Sequence, residues 1–269
     1  MKYKYLGKSY NRPDAISKVT GKAVYLDDIR LPGMLHAAIL RPEYAHAEIL
    51  GIDTSEAEKM PGVVKVVTGK GCHYHYGDNI KDLVPMAVNK VRYIGEPVAA
   101  AIADTKAHAE AAIEKIQVTY KPLPVYVDGR DAMKPGAELI HKENGEYWHL
   151  PTLKPTPGTN IAHTYHLKKG KGVDGFKDAE VIVEGEFDYP FGSCAAIEPH
   201  GSIVWFKEDK TIDVWSSSIC PFIIREDLAN SYGVPVSDVR VRIPDIGGCF
   251  GYKSDITVEQ TVAWIASFV

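Results

Sequence analysis

The chain has 269 residues, 45% hydrophobic and 25% charged, enough for one large domain or two ordinary ones around a real hydrophobic core. A formal net charge of −4, with no basic stripe interleaved with aromatics, argues against nucleic acid or an anionic membrane as a partner. No run approaches the roughly 18 apolar residues of a membrane span, MKYKYLGKSYNRPD lacks the apolar core of a signal peptide, and Cys72, Cys194, Cys220 and Cys249 form no CxxC pair or disulfide framework; the expected location is the cytoplasm.

In chain order, residues 1–20 read as polar and irregular, and KVTGKAVYLDDIRLPGMLHAAILRP reads as short strands broken by Pro32, Gly33 and Pro42. VRYIGEPVAAAIA is a near-continuous apolar run suited to a strand buried on both faces. Asp104 or Thr105 then caps a helix whose Ala109, Ala112, Ile113 and Ile116 fall at helical spacing, and Gln117 to Tyr120 turns to strand. Strand, helix, strand over about thirty residues suggests an α/β layer. Residues 128–160 carry Pro135, Pro151, Pro155 and Pro157 with little periodicity, the pattern of a linker or long extended crossing.

A second structured region follows. VIVEGEFDYP alternates as a strand, and SIVWF with TIDVWSS reads as a hairpin. PFIIREDLANSYGV is a helix stopped by Gly233, and DVRVRI is a strand leading into PDIGGCFGYK. SDITVEQTVAWIASFV reads as a helix capped by Ser254 or Asp255. Its last residues, AWIASFV, are apolar and carry no glycine or charged stop, so the chain is expected to be a fragment or to have this end covered by a partner.

The glycine loop is the main chemical signal. Strand, glycine loop and helix together present backbone N–H groups to an anion, helped by the helix dipole. Gly247, Lys253 and Ser254 match the spacing of a phosphate loop, but Tyr252 stands where its second glycine is needed. The dinucleotide fingerprint also fails on spacing. A plain turn between strand and helix is the remaining alternative.

Five segments in order resemble the molybdenum-binding subunit of the xanthine dehydrogenase and aldehyde oxidase family. They are Gly7 to Ile49, Asn89 to Asp128, AAIEPHGSIVWF (Ala195 to Phe206), VWSSSICPFIIREDLA (Val214 to Ala229) and GGCFGYK. The resemblance implies an α+β protein: an α/β hammerhead domain over 1–128, a linker over 129–160, and the start of an α/β molybdopterin-binding lobe over 161–269. It implies a molybdenum hydroxylase that uses water to hydroxylate an aldehyde or N-heterocycle. Its cofactor is molybdenum held by molybdopterin, often in the cytosine dinucleotide form. Its partners are the rest of the molybdenum subunit, an iron–sulfur subunit and an FAD subunit; the widely spread cysteines agree with the clusters lying elsewhere.

By carry-over, Gly247, Gly248, Cys249, Phe250 and Gly251 form the cofactor loop, with Phe250 supplying its N–H and its ring keeping water out. Two positions depart from the family pattern. Ile219 stands where many relatives have a glutamine that donates to the metal's oxo ligand, and Cys249 replaces the usual third glycine. The family's glutamate base lies near the far end of a much longer subunit and nothing here matches it, so no catalytic residue is assigned. A non-catalytic scaffold that keeps the fold without the cofactor is the competing reading.

Other candidates favour bland readings. Cys72, His73, His75 and Asp78 could gather as a metal site, but their glycine-flanked segment reads as an exposed polar loop, and no metal ligand is assigned. Glu198 and His200 could form an acid–base pair, though a structural bracing role suits the glutamate better. Glu96 reads as a buried charge satisfied by Arg92. Arg225 could approach an anionic cofactor or pair with Glu226 or Asp227.

Overall fold

The structure is a computed structural model describing residues 3–190 and 192–269. Its elements in chain order are α1 (Ala15–Val19), β1 (His36–Leu40), β2 (Ala47–Asp53), β3 (Val63–Thr68), β4 (Lys90–Val91), β5 (Ala99–Ala103), α2 (Lys106–Ile113), β6 (Gln117–Pro122) and α3 (Gly129–Ala132), followed by β7 (Ser202–Phe206), β8 (Ile212–Ser216), α4 (Pro221–Tyr232), β9 (Val239–Arg242) and α5 (Thr257–Ala266). The chain forms two compact units. The inserted unit is Leu35–Cys194 with Ser267–Val269, and the loop unit joins the segment ending at Met34 to Ala195–Ala266. Among the described residues no helix is long and apolar enough to cross a membrane.

In the inserted unit, two antiparallel three-stranded sheets run in the orders β1-β5-β3 and β4-β2-β6. The apolar run becomes β5, every residue of which is buried between two partner strands. Its side chains are nearly all alanine, so α2 can lie close against the sheet through its own buried Ala109 and Ala112. Thr105 caps that helix, its hydroxyl accepting from His108 N–H at 3.2 Å. The α/β layer expected across this stretch does not form. β5 pairs with β1 and β3 whereas β6 pairs with β2, so strand, helix and strand connect two antiparallel sheets and the fold is α+β.

The proline-rich stretch after Asp128 is held by two asparagines. Asn144 Nδ2 donates to the carbonyls of Thr156, Thr159 and Ile161 at 3.1, 2.8 and 3.0 Å. Asn160 accepts from Ile140 N–H through Oδ1 and donates to the Ala132 and Glu138 carbonyls through Nδ2. Two side chains thereby replace a ladder that the prolines prevent.

The strand expected over VIVEGEFDYP is not present. Residues 181–190 carry no strand, and Val183 and Phe187 are 88% and 93% exposed. Alternation supplies an apolar face, but a strand also needs a hydrogen-bonded neighbour, and none of the described strands pairs with this one.

In the loop unit, β7 and β8 form the expected antiparallel hairpin, and β9 adds parallel to β8 after the α4 crossover. Pro221 at the first turn starts α4 and Gly233, at φ 65°, stops it in the left-handed conformation. Val204, Val214 and Val241 share one face of the sheet by register, with α5 against β7 and α4 against β9. The N-terminal segment joins this unit through Asp245: its N–H donates to the Val24 carbonyl at 2.9 Å, and its carboxylate accepts from Val24 N–H at 3.1 Å.

The close approach of α2 to β5 predicts that Ala101→Leu overpacks the alanine core of Ala57, Ala99, Ala101 and Ala112. A loss of about 1–3 kcal/mol is expected in a urea melt of the full chain.

Candidate functional site

The glycine loop begins where β9 ends, and its geometry is set by one carboxylate. Glu198 Oε2 accepts from Gly247 N–H at 2.7 Å and from Lys253 Nζ at 2.6 Å. Glu198 N–H returns a bond to the Gly247 carbonyl at 3.3 Å. This approach requires glycine: a Cβ on Gly247 would lie 2.6 Å from Glu198 Cβ. Lys253 is fully buried, and its carbonyl accepts from Ser218 Oγ at 2.8 Å and Ile219 N–H at 3.2 Å. The loop is therefore tied at its base to the Glu198 segment and to the β8–α4 junction.

Between those anchors the backbone is contorted. Gly248, Phe250 and Gly251 have φ of 104°, 54° and 90°. Phe250 is one of only three residues other than glycine with positive φ among the described residues, and its ring is 76% exposed. Ala195, beginning the segment that carries Glu198, is another. Strain of this kind gathers where a backbone is shaped for a ligand. Within the loop, Tyr252 N–H bonds to the Cys249 carbonyl and Ser254 N–H to the Gly251 carbonyl, whereas the N–H groups of Gly248, Cys249 and Gly251 take no partner among the described residues. Open N–H groups on such a backbone suit an anionic or oxo-bearing group.

The geometry disposes of the phosphate-loop reading. The lysine that would reach a phosphate is turned inward onto Glu198. The helix dipole plays no part at the loop either, because α5 starts only at Thr257, where the Asp255 carboxylate takes both the Thr257 N–H (3.0 Å) and its hydroxyl (2.6 Å). Of the two expected caps, Asp255 is the one that acts.

Glu198 and His200 do not form an acid–base pair. His200 Nε2 lies 2.9 Å from Glu259 Oε1, which also accepts from Ser216 Oγ. The serines Ser216, Ser217 and Ser218, Glu259 and Gln260 are all buried, and Gln260 Nε2 donates to Asp227 Oδ2 and Ser231 Oγ. Glu198 Oε1 and Glu259 Oε2 are buried without a hydrogen-bond partner among the described residues. Sequence reasoning missed Glu259 and the inward turn of Lys253. The signals that could have found them were a Glu-Gln pair inside an otherwise apolar helix and three serines ending a buried strand.

The remaining candidates are dispersed. The His75 ring packs at 5.5 Å from Tyr147, His73 against Tyr74, and the Cys72 thiol donates to the Tyr74 carbonyl at 3.5 Å, with burial raising its pKa. Among the described residues no three His, Cys, Asp or Glu side chains come together as a metal site. Arg225 stacks over Phe222 at 5.4 Å; its Nε is buried without a hydrogen-bond partner among the described residues, and Asp227 is engaged by Gln260. Ile219 is 49% exposed. Glu96 Oε2 accepts from Arg92 N–H at 2.6 Å, and burial pushes the carboxyl up to about 7 despite that bond and the nearby guanidinium.

Comparison with known proteins matches two families in sequence. Residues 20–124 match the family described as aldehyde oxidase and xanthine dehydrogenase, a/b hammerhead domain, and residues 153–269 match the molybdopterin cofactor-binding domain. The chain is 32% identical over 280 residues to the carbon monoxide dehydrogenase large chain of Afipia carboxidovorans, covering 98% of this chain and 33% of that one. It is 33% identical over 276 residues to the aldehyde oxidoreductase of Megalodesulfovibrio gigas, covering 96% of this chain and 28% of that protein. The crystal structure of quinoline 2-oxidoreductase from Pseudomonas putida 86 superposes with a TM-score of 0.83 at 26% identity, over 99% of this chain and 34% of that chain. The chain thus spans about a third of the length of the curated relatives it matches.

The glycine loop in one unit and Glu96 in the other each give an expected outcome. Gly247→Ala is expected to push Glu198 out of its bond and cost about 1–3 kcal/mol, read by chemical denaturation. Glu96 holds its proton more tightly folded than unfolded, so its effect on stability is largest below its ordinary value of 4.5 and declines as pH rises toward about 7. Between pH 5 and 7 the parent should lose on the order of 2 kcal/mol more than Glu96→Gln, measured by urea melts at the two pH values.

Proposed function

Because the chain belongs to the aldehyde oxidase and xanthine dehydrogenase family, we propose that it supplies the hammerhead and the first part of the molybdopterin-binding lobe of a molybdenum hydroxylase. The boundaries follow from the same reading: a hammerhead over 1–128, a connecting segment over 129–160, and the cofactor lobe from 161 onward. The observation that carries the proposal is the loop in which Gly247 N–H and Lys253 are spent on Glu198, while the N–H groups of Gly248, Cys249 and Gly251 stay open.

The residues present fit the cofactor. The loop offers open backbone donors at Gly248, Cys249 and Gly251, and Glu198 Oε1 is a buried acceptor without a partner among the described residues at the loop's base. Of the loop residues Gly247, Gly248, Cys249, Phe250 and Gly251, the first would anchor the loop on Glu198 and the rest would hold molybdenum–molybdopterin, in its cytosine dinucleotide form by analogy. When bound, the group supplies the redox centre that lets the oxygen of water be transferred to an electron-poor carbon while two electrons leave. This chain contributes binding and orientation through the open N–H groups, and the Phe250 ring, exposed here, would cover the bound group by analogy with the family. The substrate is an aldehyde or N-heterocycle, and the electrons pass to iron–sulfur and FAD subunits. The rest of the molybdenum subunit supplies the base.

The test is metal and pterin analysis of the enzyme isolated with the polypeptides that complete it. Molybdenum and oxidised-pterin fluorescence are expected in stoichiometric amounts with this chain. A folded, complete complex lacking both would overturn the proposal in favour of a scaffold.

A further inference from the structure

Resting on that reading, we infer that Glu198 and Lys253 are positioning residues that decide which loop N–H groups are open to the cofactor. A single oxygen, Glu198 Oε2, gathers both ends of the Gly247–Lys253 segment, holding Gly247 N–H at 2.7 Å and Lys253 Nζ at 2.6 Å. A carboxylate with no cation beside it could hold the glycine alone, and Lys253 would then keep only its carbonyl bonds to Ser218 Oγ and Ile219 N–H. A lysine with no carboxylate would have to leave the interior, because a buried ammonium without a partner is strongly disfavoured.

The pair reaches further than the loop. Lys253 gives its carbonyl to Ser218 Oγ and to Ile219 N–H, so the residue that fixes the loop also fixes the main chain at the β8–α4 junction. The Ser218 hydroxyl in turn accepts from Cys220 N–H at 3.1 Å, at the start of α4. Glu198 lies between Ala195, with φ 41°, and the backbone bond from its own N–H to Gly247. One ion pair thus ties the Glu198 segment to the end of the contorted loop. At the base of the contorted stretch from Gly248 to Gly251, the Glu198 carboxylate binds Gly247 on one side and Lys253 on the other.

Separating a positioning role from bulk stability requires variants that fold. Glu198→Gln leaves Lys253 buried without its counter-charge, and Lys253→Met does the same to Glu198, so each single change is expected to lower the melting temperature. The double variant, Glu198→Gln with Lys253→Met, leaves no unpaired buried charge and is expected to regain most of that loss. The deciding readout is amide hydrogen exchange across 247–251 in the complete complex, with molybdenum and pterin content measured on the same samples. In the refolded double variant the loop amides should exchange at least about tenfold faster than in the parent, with exchange in β5 unchanged. Cofactor content should fall.

Unchanged loop exchange and full cofactor content in the double variant would overturn the inference, leaving the pair a stability element only. If the parent complex holds no cofactor yet the double variant loosens the loop, the positioning role stands and the functional reading fails. If the parent holds cofactor and the variant loop stays tight, the functional reading stands and the positioning role fails.

Discussion

A fully buried lysine amine bonded to a single carboxylate is the constraint on which the loop unit depends. Lys253 takes its counter-charge from Glu198, and that carboxylate has already accepted Gly247 N–H. The desolvation of two charged groups is offset only where geometry brings them together and further donors share the load. The glycine follows from the same condition, since a side chain at 247 would displace the carboxylate. The first glycine of the run is thus the consequence of one charge being held inside, whereas Gly248 and Gly251 answer to their positive φ.

A second buried carboxylate works in parallel. Glu259 on α5 collects His200 and Ser216, linking the helix to the segment after Pro199 and to the end of β8. Buried polar networks of this type add little net stability compared with apolar packing, but each bond removes an alternative arrangement. The two carboxylates fix the same short segment, Glu198 to His200, from two sides. The loop is thereby placed relative to both the sheet and α5, although it makes few apolar contacts of its own.

Much of this was legible in the sequence, and the limits have physical causes. Periodicity located β7, β8, β9, α4 and α5 because each is a regular element with an apolar face, and Pro221 and Gly233 marked the ends of α4 by conformational preference. The glycine loop was visible by composition. Its orientation was not, because Lys253 reads identically whether it points toward a ligand or into the interior. The partner choice of β5 and β6 was hidden for a similar reason: local pattern defines a strand but not its neighbour. Residues 181–190 alternate as well as any strand in the chain and form none here, which isolates pairing as the missing information. The docking of Val24 on Asp245 spans most of the chain and left no local trace.

The two departures from the family pattern bear differently on the cradle once backbone and side chain are separated. At position 219 the N–H is spent on the Lys253 carbonyl whatever side chain is present, and the isoleucine side chain is half exposed. At position 249 the carbonyl accepts from Tyr252 N–H and the backbone N–H stays open, again independently of the thiol. The cradle is built from main-chain groups, and neither isoleucine nor cysteine removes one. Under the proposed reading, what Ile219 removes is the side-chain donor of the family pattern, which would bear on the chemistry at the cofactor rather than on holding it. A site whose binding shell is backbone and whose tuning groups are side chains can change its reaction without rebuilding its fold.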